Sequence, residues 1–209
     1  MKDYEMLSKQ HFDGQAKEYD RKDTMYYSKF PKISCKDVAE QLKNISFDYL
    51  LDVGCGTGYL IDLLKGQTNA NYFGLDLSPE MLEIAKEKLG DAASLAEGSA
   101  DCLPYGNDQF DVVTCIQSFH HYPYPQKAME EVYRVLKPGG LYILSDTGCS
   151  GLAKWMQNHI FLKLMKSGDY AVYDRKDIES MMRKSKLQVV ESRQVTKMIY
   201  TVIGRKMGV

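Results

Sequence analysis

Gly54, Gly56 and Gly58 alternate along the run LLDVGCGTGYLIDLL at residues 50–64, and Asp76 follows the first of them at the distance typical of a ribose-binding acid, about 20 residues. A backbone without Cβ atoms lets a ligand lie almost against it. The helix that opens behind the glycines would aim its free N–H groups, with their partial positive charge, at the same ligand. An acidic side chain at the end of the next strand is placed to hold a ribose by its hydroxyls. Glycines and acid together imply an adenosine-containing cofactor. Their spacing argues against a dinucleotide, whose fingerprint wants glycine at the sixth position, where this chain has Tyr59. A nicotinamide-dependent oxidoreductase is therefore the weaker reading.

A second group able to do chemistry is the adjacent pair His120 and His121, in the run QSFHHYPY at residues 117–124. Imidazoles exchange protons near neutral pH, so either ring is a candidate general base. Equally, such a pair can cap the following helix or pack beside a cofactor. Neighbouring residues seldom chelate one ion, and the sequence points to no third ligand, so no metal is expected. Tyr122 and Tyr124 suit either an aromatic substrate pocket or the cover of a sheet edge.

The elements that must carry these residues are legible as alternation. Short apolar runs at 50–53, 72–75, 110–116 and 141–145 are bounded by turn residues, as buried parallel strands require. Helical patterns lie between them at 59–64, 80–89 and 126–136. Ser78 is placed as an N-cap with Pro79 at the first helical position, and Lys137-Pro138-Gly139-Gly140 turns the chain into the next strand. This order predicts a doubly wound sheet with right-handed crossovers. Further on, helices are expected at 152–166 and 177–186, then strands at 187–193 and 198–204. The short link between those two strands forces them into an antiparallel hairpin. Leu152, Trp155, Met156, His159, Ile160 and Leu164 fall at helical spacing, which suits a cover over the sheet or a wall of a substrate pocket.

Composition narrows the function. The chain is 44% apolar and 26% charged with a net charge of −1, which gives no basic footprint for nucleic acid and no polybasic patch for a membrane. No apolar run approaches the length of a spanning helix, and the N-terminus lacks the apolar core of a signal peptide. Five scattered cysteines without a C-x-x-C pair speak against a disulfide framework or a zinc knuckle. A reduced, cytoplasmic protein is expected.

Six segments in register resemble the class I S-adenosylmethionine-dependent methyltransferases, in particular the small-molecule branch with the ubiquinone and menaquinone C-methyltransferases. They are the N-terminal His11-Phe12-Asp13-x-x-Ala16-x-x-Tyr19-Asp20, the loop Asp52-Val53-Gly54-Cys55-Gly56-Thr57-Gly58, and Gly74-Leu75-Asp76-Leu77-Ser78. Gly98-Ser99-Ala100-Asp101, Phe110-Asp111-Val112-Val113 and the turn from Arg134 to Gly140 complete the set. The likeness spans about residues 12–145. It implies an α/β, Rossmann-like, seven-stranded and mostly parallel sheet with one antiparallel C-terminal hairpin strand, in a single domain. Within that domain residues 1–40 are expected to form a helical lid, 41–148 the cofactor-binding core, 149–186 a lid or substrate region, and 187–209 the hairpin.

The resemblance also implies roles. Gly54 and Gly56 would let the methionine portion of S-adenosylmethionine lie along the backbone, Asp52 would hold its ammonium, and Tyr19 would cover its carboxylate. Asp76 would take both ribose hydroxyls, Leu77 would press on the adenine, and Ser99 and Ala100 would meet its edge. Many relatives carry an aspartate where this chain has Ser99, so Asp101 is a candidate substitute. Cys55 and Gln117 join the implied cofactor set, and S-adenosylhomocysteine would be the product. The Asn/Asp-Pro-Pro-aromatic turn of enzymes that methylate exocyclic amines or amides is missing after the fourth strand. A small-molecule acceptor is therefore expected, on a monomer or homodimer, with a non-catalytic S-adenosylmethionine-binding module as the alternative.

Overall fold

The computed structural model describes residues 3–20, 29–67, 69–164 and 168–208. Tyr26, Tyr27 and Lys166, which belong to expected lid segments, lie outside them. Two helices, α1 (Tyr4–Tyr19) and α2 (Phe30–Leu42), precede β1 (Tyr49–Val53), α3 (Tyr59–Leu64), β2 (Asn71–Asp76), α4 (Pro79–Leu89) and β3 (Ala93–Glu97). Then come β4 (Phe110–Ile116), α5 (Pro125–Val135), β5 (Leu136–Thr147), α6 (Gly151–Met156), α7 (Leu162–Leu164), α8 (Arg175–Lys184), β6 (Leu187–Gln194) and β7 (Ile199–Lys206).

The strands form one sheet in the order β3-β2-β1-β4-β5-β7-β6. All its neighbours are parallel except those of β7, which runs antiparallel between β5 and β6. This is the expected fold, with the hairpin strand inserted rather than added at the edge. Because both faces are covered, the parallel strands bury consecutive residues instead of alternate ones. Leu50, Val112 and Ile143 pack against α2, α3 and α4, whereas their neighbours Leu51, Val113 and Tyr142 pack against α5 and α8. Strand β3 has no aliphatic run; its residues are half-buried or exposed at the sheet edge, which is why the sequence pattern did not single it out.

Local chemistry fixes the element ends near the site. The Ser78 hydroxyl accepts the Met81 N–H at 3.2 Å, so it caps α4 as the sequence predicts, with Pro79 at the first turn. The same hydroxyl donates to Asp13 Oδ1 at 2.6 Å and so ties α1 to α4. Asp20, at the end of α1, accepts from the Thr57 hydroxyl at 2.9 Å and from Lys88 at 2.7 Å. Helix α1 is thereby pinned across the carboxyl ends of β1 and β2.

The segment after β5 departs from expectation. It is helical in α6 and α7 but widens to a π-helical turn over Gln157–Phe161. Its apolar stripe neither covers the sheet nor walls the central cavity: Leu152 is 72% exposed, Trp155 53% and Leu164 78%. The polar side of the helix makes the attachments instead. Lys154 bridges Asp174 and Asp177 at 2.6 and 2.7 Å, and the Asn158 amide pairs with the backbone of Val172 in both directions. With those groups turned inward, the apolar side faces outward. Among the described residues no helix is long and apolar enough to cross a membrane.

Candidate functional site

A cavity opens at the carboxyl ends of β1, β2, β3 and β4, where the strand order reverses between β1 and β4. Open α/β sheets bind ligands at such a switch point. The empty space, counted out to its mouth, is about 1200 Å³. Tyr19, Asp52, Gly54, Cys55, Gly56, Asp76, Leu77, Ser99, Ala100, Asp101 and Gln117 all line it. The structure thus brings the whole expected cofactor set together. His121 lines the cavity too, but His120 stands behind it.

The glycine loop is stitched to the next strand. Gly54 and Cys55 donate their N–H groups to the Leu75 carbonyl at 2.8 and 3.0 Å. Gly54 has φ +74°, and a Cβ there would lie 2.0 Å from Ser118 Oγ, so only glycine lets the loop after β4 come this close. At Gly56 a Cβ would meet nothing within 4 Å, which leaves an open cradle over the loop. Gly56 N–H donates to Asp76 Oδ2 at 2.7 Å, and Ser78 N–H to Asp76 Oδ1 at 2.9 Å. The Leu77 N–H bonds the same carboxylate, so three backbone donors hold Asp76 in a fixed orientation.

Asp52 and Asp76, two of the acids that line the cavity, are both shifted by burial. Asp52 is buried, and Thr114 donates to its Oδ1 at 2.7 Å. Burial pushes its carboxyl up to about 7, with Asp76 adding to the rise and Thr114 opposing it. Asp76 is also raised, mainly by burial, against the N–H bonds from Ser78 and Gly56. Ligand-free, this wall holds more negative charge than it can comfortably keep, and a cation would relieve it.

At the other end, Ser99 Oγ lies 2.7 Å from both Glu5 Oε1 and Asp101 Oδ1. One hydroxyl has one proton, so it serves only one of these acids at a time. Burial works to raise Asp101, but the Ser99 hydroxyl and Lys127 hold it below the ordinary carboxylate range. Leu77 and buried Ala100 supply the apolar surface between the two ends.

Beyond β4, Gln117 takes the uncommon φ of +51° and donates its side-chain amide to Ser34 at 2.8 Å. The next turn, Phe119–His121, packs its histidines against acids that the sequence did not connect to them. Buried Asp146, at the end of β5, accepts from His120 N–H at 3.1 Å and contacts His120 Nδ1 at 2.8 Å. Asp169 approaches both rings, its Oδ1 lying 3.5 Å from His120 Nε2 and from His121 Nδ1. The expectation of no third group beside the histidines therefore does not hold. Burial lowers His120, but Asp146 and Asp169 outweigh it and raise the ring to about 9. Burial and the charge of His120 push His121 down to about 3, so it stays neutral. Tyr122 and Tyr124 both line the cavity. The roof comes from α1, whose Phe12 belongs to the N-terminal motif and whose Glu5 and Lys9, not singled out by the sequence, face the same space.

Comparison with known proteins agrees with this geometry. The Methyltransferase domain family matches residues 51–144, from the glycine loop through β5. The chain carries a class I S-adenosylmethionine-dependent methyltransferase domain. A demethylmenaquinone methyltransferase of Oceanobacillus iheyensis is 37% identical over 133 residues, covering 60% of this chain and 56% of that protein. An uncharacterized protein of Methanocaldococcus jannaschii is 31% identical over 169 residues, covering 80% of this chain and 62% of its own. The chain thus spans less than two thirds of the length of these curated relatives. Among solved structures, the methyltransferase bound to the Trm112 activator of Haloferax volcanii superposes with a TM-score of 0.80 at 21% identity, over 97% of this chain and 98% of the other.

Proposed function

We propose that this methyltransferase moves the methyl group of S-adenosylmethionine to a small-molecule acceptor by in-line displacement. The observation that carries the reading is one roofed cavity with the expected cofactor residues along one wall and His121, Tyr122 and Tyr124 along another. Helix α1 covers it from above, which suits an acceptor that enters a chamber better than a polymer lying across a surface. The donor set fits the cofactor: Asp52 for an ammonium, Asp76 for a vicinal diol, Leu77 and Ala100 for a flat base, the cradle at Gly56 for the chain between. Ser99 and Asp101 are proposed to meet the base edge, with Cys55, Gln117 and Tyr19 closing the methionine end.

Bound there, the cofactor supplies an electrophilic methyl group on a sulfonium. What the protein must add is position and dryness. Holding an acceptor atom in line at near-attack distance lowers such barriers by several kcal/mol, and excluding water keeps the sulfonium from being stabilised before transfer. His121 is the histidine that faces the acceptor. Its low proton affinity makes it a poor base on its own, so we assign it to orienting the acceptor and His120 to positioning His121 from behind.

The lining reaches past the expected cofactor residues to His121, Tyr122 and Tyr124, which favours an enzyme over a binding module, since a sensor needs no acceptor wall. The test is S-adenosylhomocysteine release from the purified protein with labelled S-adenosylmethionine and a panel of quinols, catechols, phenols and amines. Release that depends on one acceptor class supports the reading. Tight cofactor binding with no turnover on any class would favour the non-catalytic module.

A further inference from the structure

Three Lewis-basic atoms converge behind the acceptor wall. His120 Nε2 and His121 Nδ1 each lie 3.5 Å from Asp169 Oδ1, and each of the three residues offers a ligand atom within 4.8 Å of the other two. These separations are too long for the charge-assisted hydrogen bonds such groups make, at about 2.7–2.9 Å. They match the edges of a coordination tetrahedron, because donors at 2.0–2.2 Å from a zinc ion stand about 3.3–3.6 Å apart. We propose that His120, His121 and Asp169 form a binding site for a divalent transition-metal ion of the zinc type.

Four independent features support the assignment. First, His121 Nδ1 is buried without a hydrogen-bond partner, on a side chain only 10% exposed. A buried imidazole nitrogen rarely goes unsatisfied, and a metal ion would satisfy it. Second, His120 has the outer-shell partner that histidine ligands usually have. Its Nδ1 lies 2.8 Å from Asp146, which leaves Nε2 as the donor toward Asp169. Asp146 is itself fixed, its Oδ1 also accepting the Thr147 N–H at 2.7 Å and its Oδ2 the His120 N–H. Third, the backbone locks the two ligand-bearing loops together. Tyr170 and Ala171 both donate N–H groups to the His120 carbonyl, at 2.8 and 3.1 Å, and so set Asp169 against the rings. Fourth, the donor set is selective. Two imidazoles and one carboxylate suit zinc, iron, cobalt or nickel and not magnesium or calcium, which prefer all-oxygen shells.

Three protein ligands leave a position open, the signature of reactive rather than structural metal sites. His121 reaches the cavity wall, so that position is near the acceptor chamber. Assigning it to an acceptor oxygen rests on the methyl-transfer reading; the metal site itself does not.

The test uses the full chain, stripped with a chelator and carrying Cys102→Ser, since Cys102 is an exposed free thiol that could take zinc by itself. Calorimetric titration with zinc chloride, and with cobalt chloride for its visible absorption, should show one site per chain with four- or five-coordinate cobalt bands. Asp169→Asn and His121→Ala should weaken binding at least tenfold, and Asp146→Asn, which alters only the outer shell, by about 10- to 100-fold. S-adenosylhomocysteine affinity, measured on the same samples, reports that each variant is folded. Absence of a one-to-one site in the parent protein, or equal affinity in the Asp169→Asn variant, would overturn the assignment. Methyl transfer that persists in metal-free protein would leave the proposed function standing and remove only the acceptor role of the metal.

Discussion

Gly56 donates its backbone N–H to Asp76 Oδ2 at 2.7 Å, across 20 residues of chain. The glycine loop and the acid of the next strand are therefore one preset unit, with Ser78 N–H fixing the second oxygen at 2.9 Å. Ligand hydroxyls meet a carboxylate that is already aimed, so little ordering entropy is lost on binding. Asp76→Ala should weaken S-adenosylmethionine binding more than tenfold by calorimetry. Asp76→Asn should fall between, because its amide keeps one acceptor but turns a donor toward either Gly56 or Ser78. Parental affinity in Asp76→Ala would remove Asp76 from the site.

A pH dependence follows from Asp52. Its carboxyl binds protons more tightly folded than unfolded, with a folded value of about 7 against an ordinary 3.8. Ligand-free stability should then fall as pH rises between those values and level off above 7. At about 1.4 kcal/mol per pH unit, the loss reaches at most about 4 kcal/mol. Asp52→Asn should flatten this slope and be more stable than the parent at pH 8 by urea unfolding. Cofactor affinity should move the opposite way, rising through pH 7 in the parent as the carboxylate ionises to meet an ammonium, and losing that rise in the variant.

The roof makes a third prediction. Asp13 ties α1 to the α4 cap through Ser78, and Asp20 ties it to Thr57 and Lys88. Hydrogen bonds to charged groups contribute about 1.5–3 kcal/mol each. Asp13→Ala should therefore open α1 locally without unfolding the sheet. Hydrogen exchange should quicken over residues 4–19 while β1 and β4 stay protected, and cofactor release should speed several-fold. Unchanged exchange in α1 would show that the helix is held by its packing alone.

How far the sequence could lead follows from the range of each interaction. The glycine loop, the Ser78 cap and the strands Phe110–Ile116 and Tyr49–Val53 are local patterns, so they were legible. Asp76 was legible because its distance from the glycines is set by one strand-helix-strand unit. Strand β3 was not, since an edge strand of mixed burial has no periodic apolar signal. Asp146 and Asp169 join His120 only through tertiary contacts 26 and 49 residues away, which no spacing rule encodes. The outward stripe of Leu152 and Trp155 failed for another reason. Helical periodicity reveals that a face is apolar, but Lys154 and Asn158, through their partners, decide which way it turns.

The closeness of Gly54 to Ser118 separates two costs that usually arrive together. A Cβ on Gly54 would lie 2.0 Å from Ser118 Oγ and 2.6 Å from its Cβ, at a φ of +74° that disfavours any side chain. Gly54→Ala should therefore lose the left-handed backbone preference, about 1–2 kcal/mol, plus the cost of pushing the loop after β4 away. Removing only the hydroxyl should not help, because the Ser118 Cβ is itself too close. Ser118→Gly in the Gly54→Ala background should recover the steric part and leave the backbone part, measured as a partial return of the urea midpoint. Tyr122 OH, 3.0 Å from the same position, sets how complete that return is. If Ser118→Ala rescued as well as Ser118→Gly, the contact between these loops would be softer than the geometry implies, and Gly54 would be required for its backbone alone.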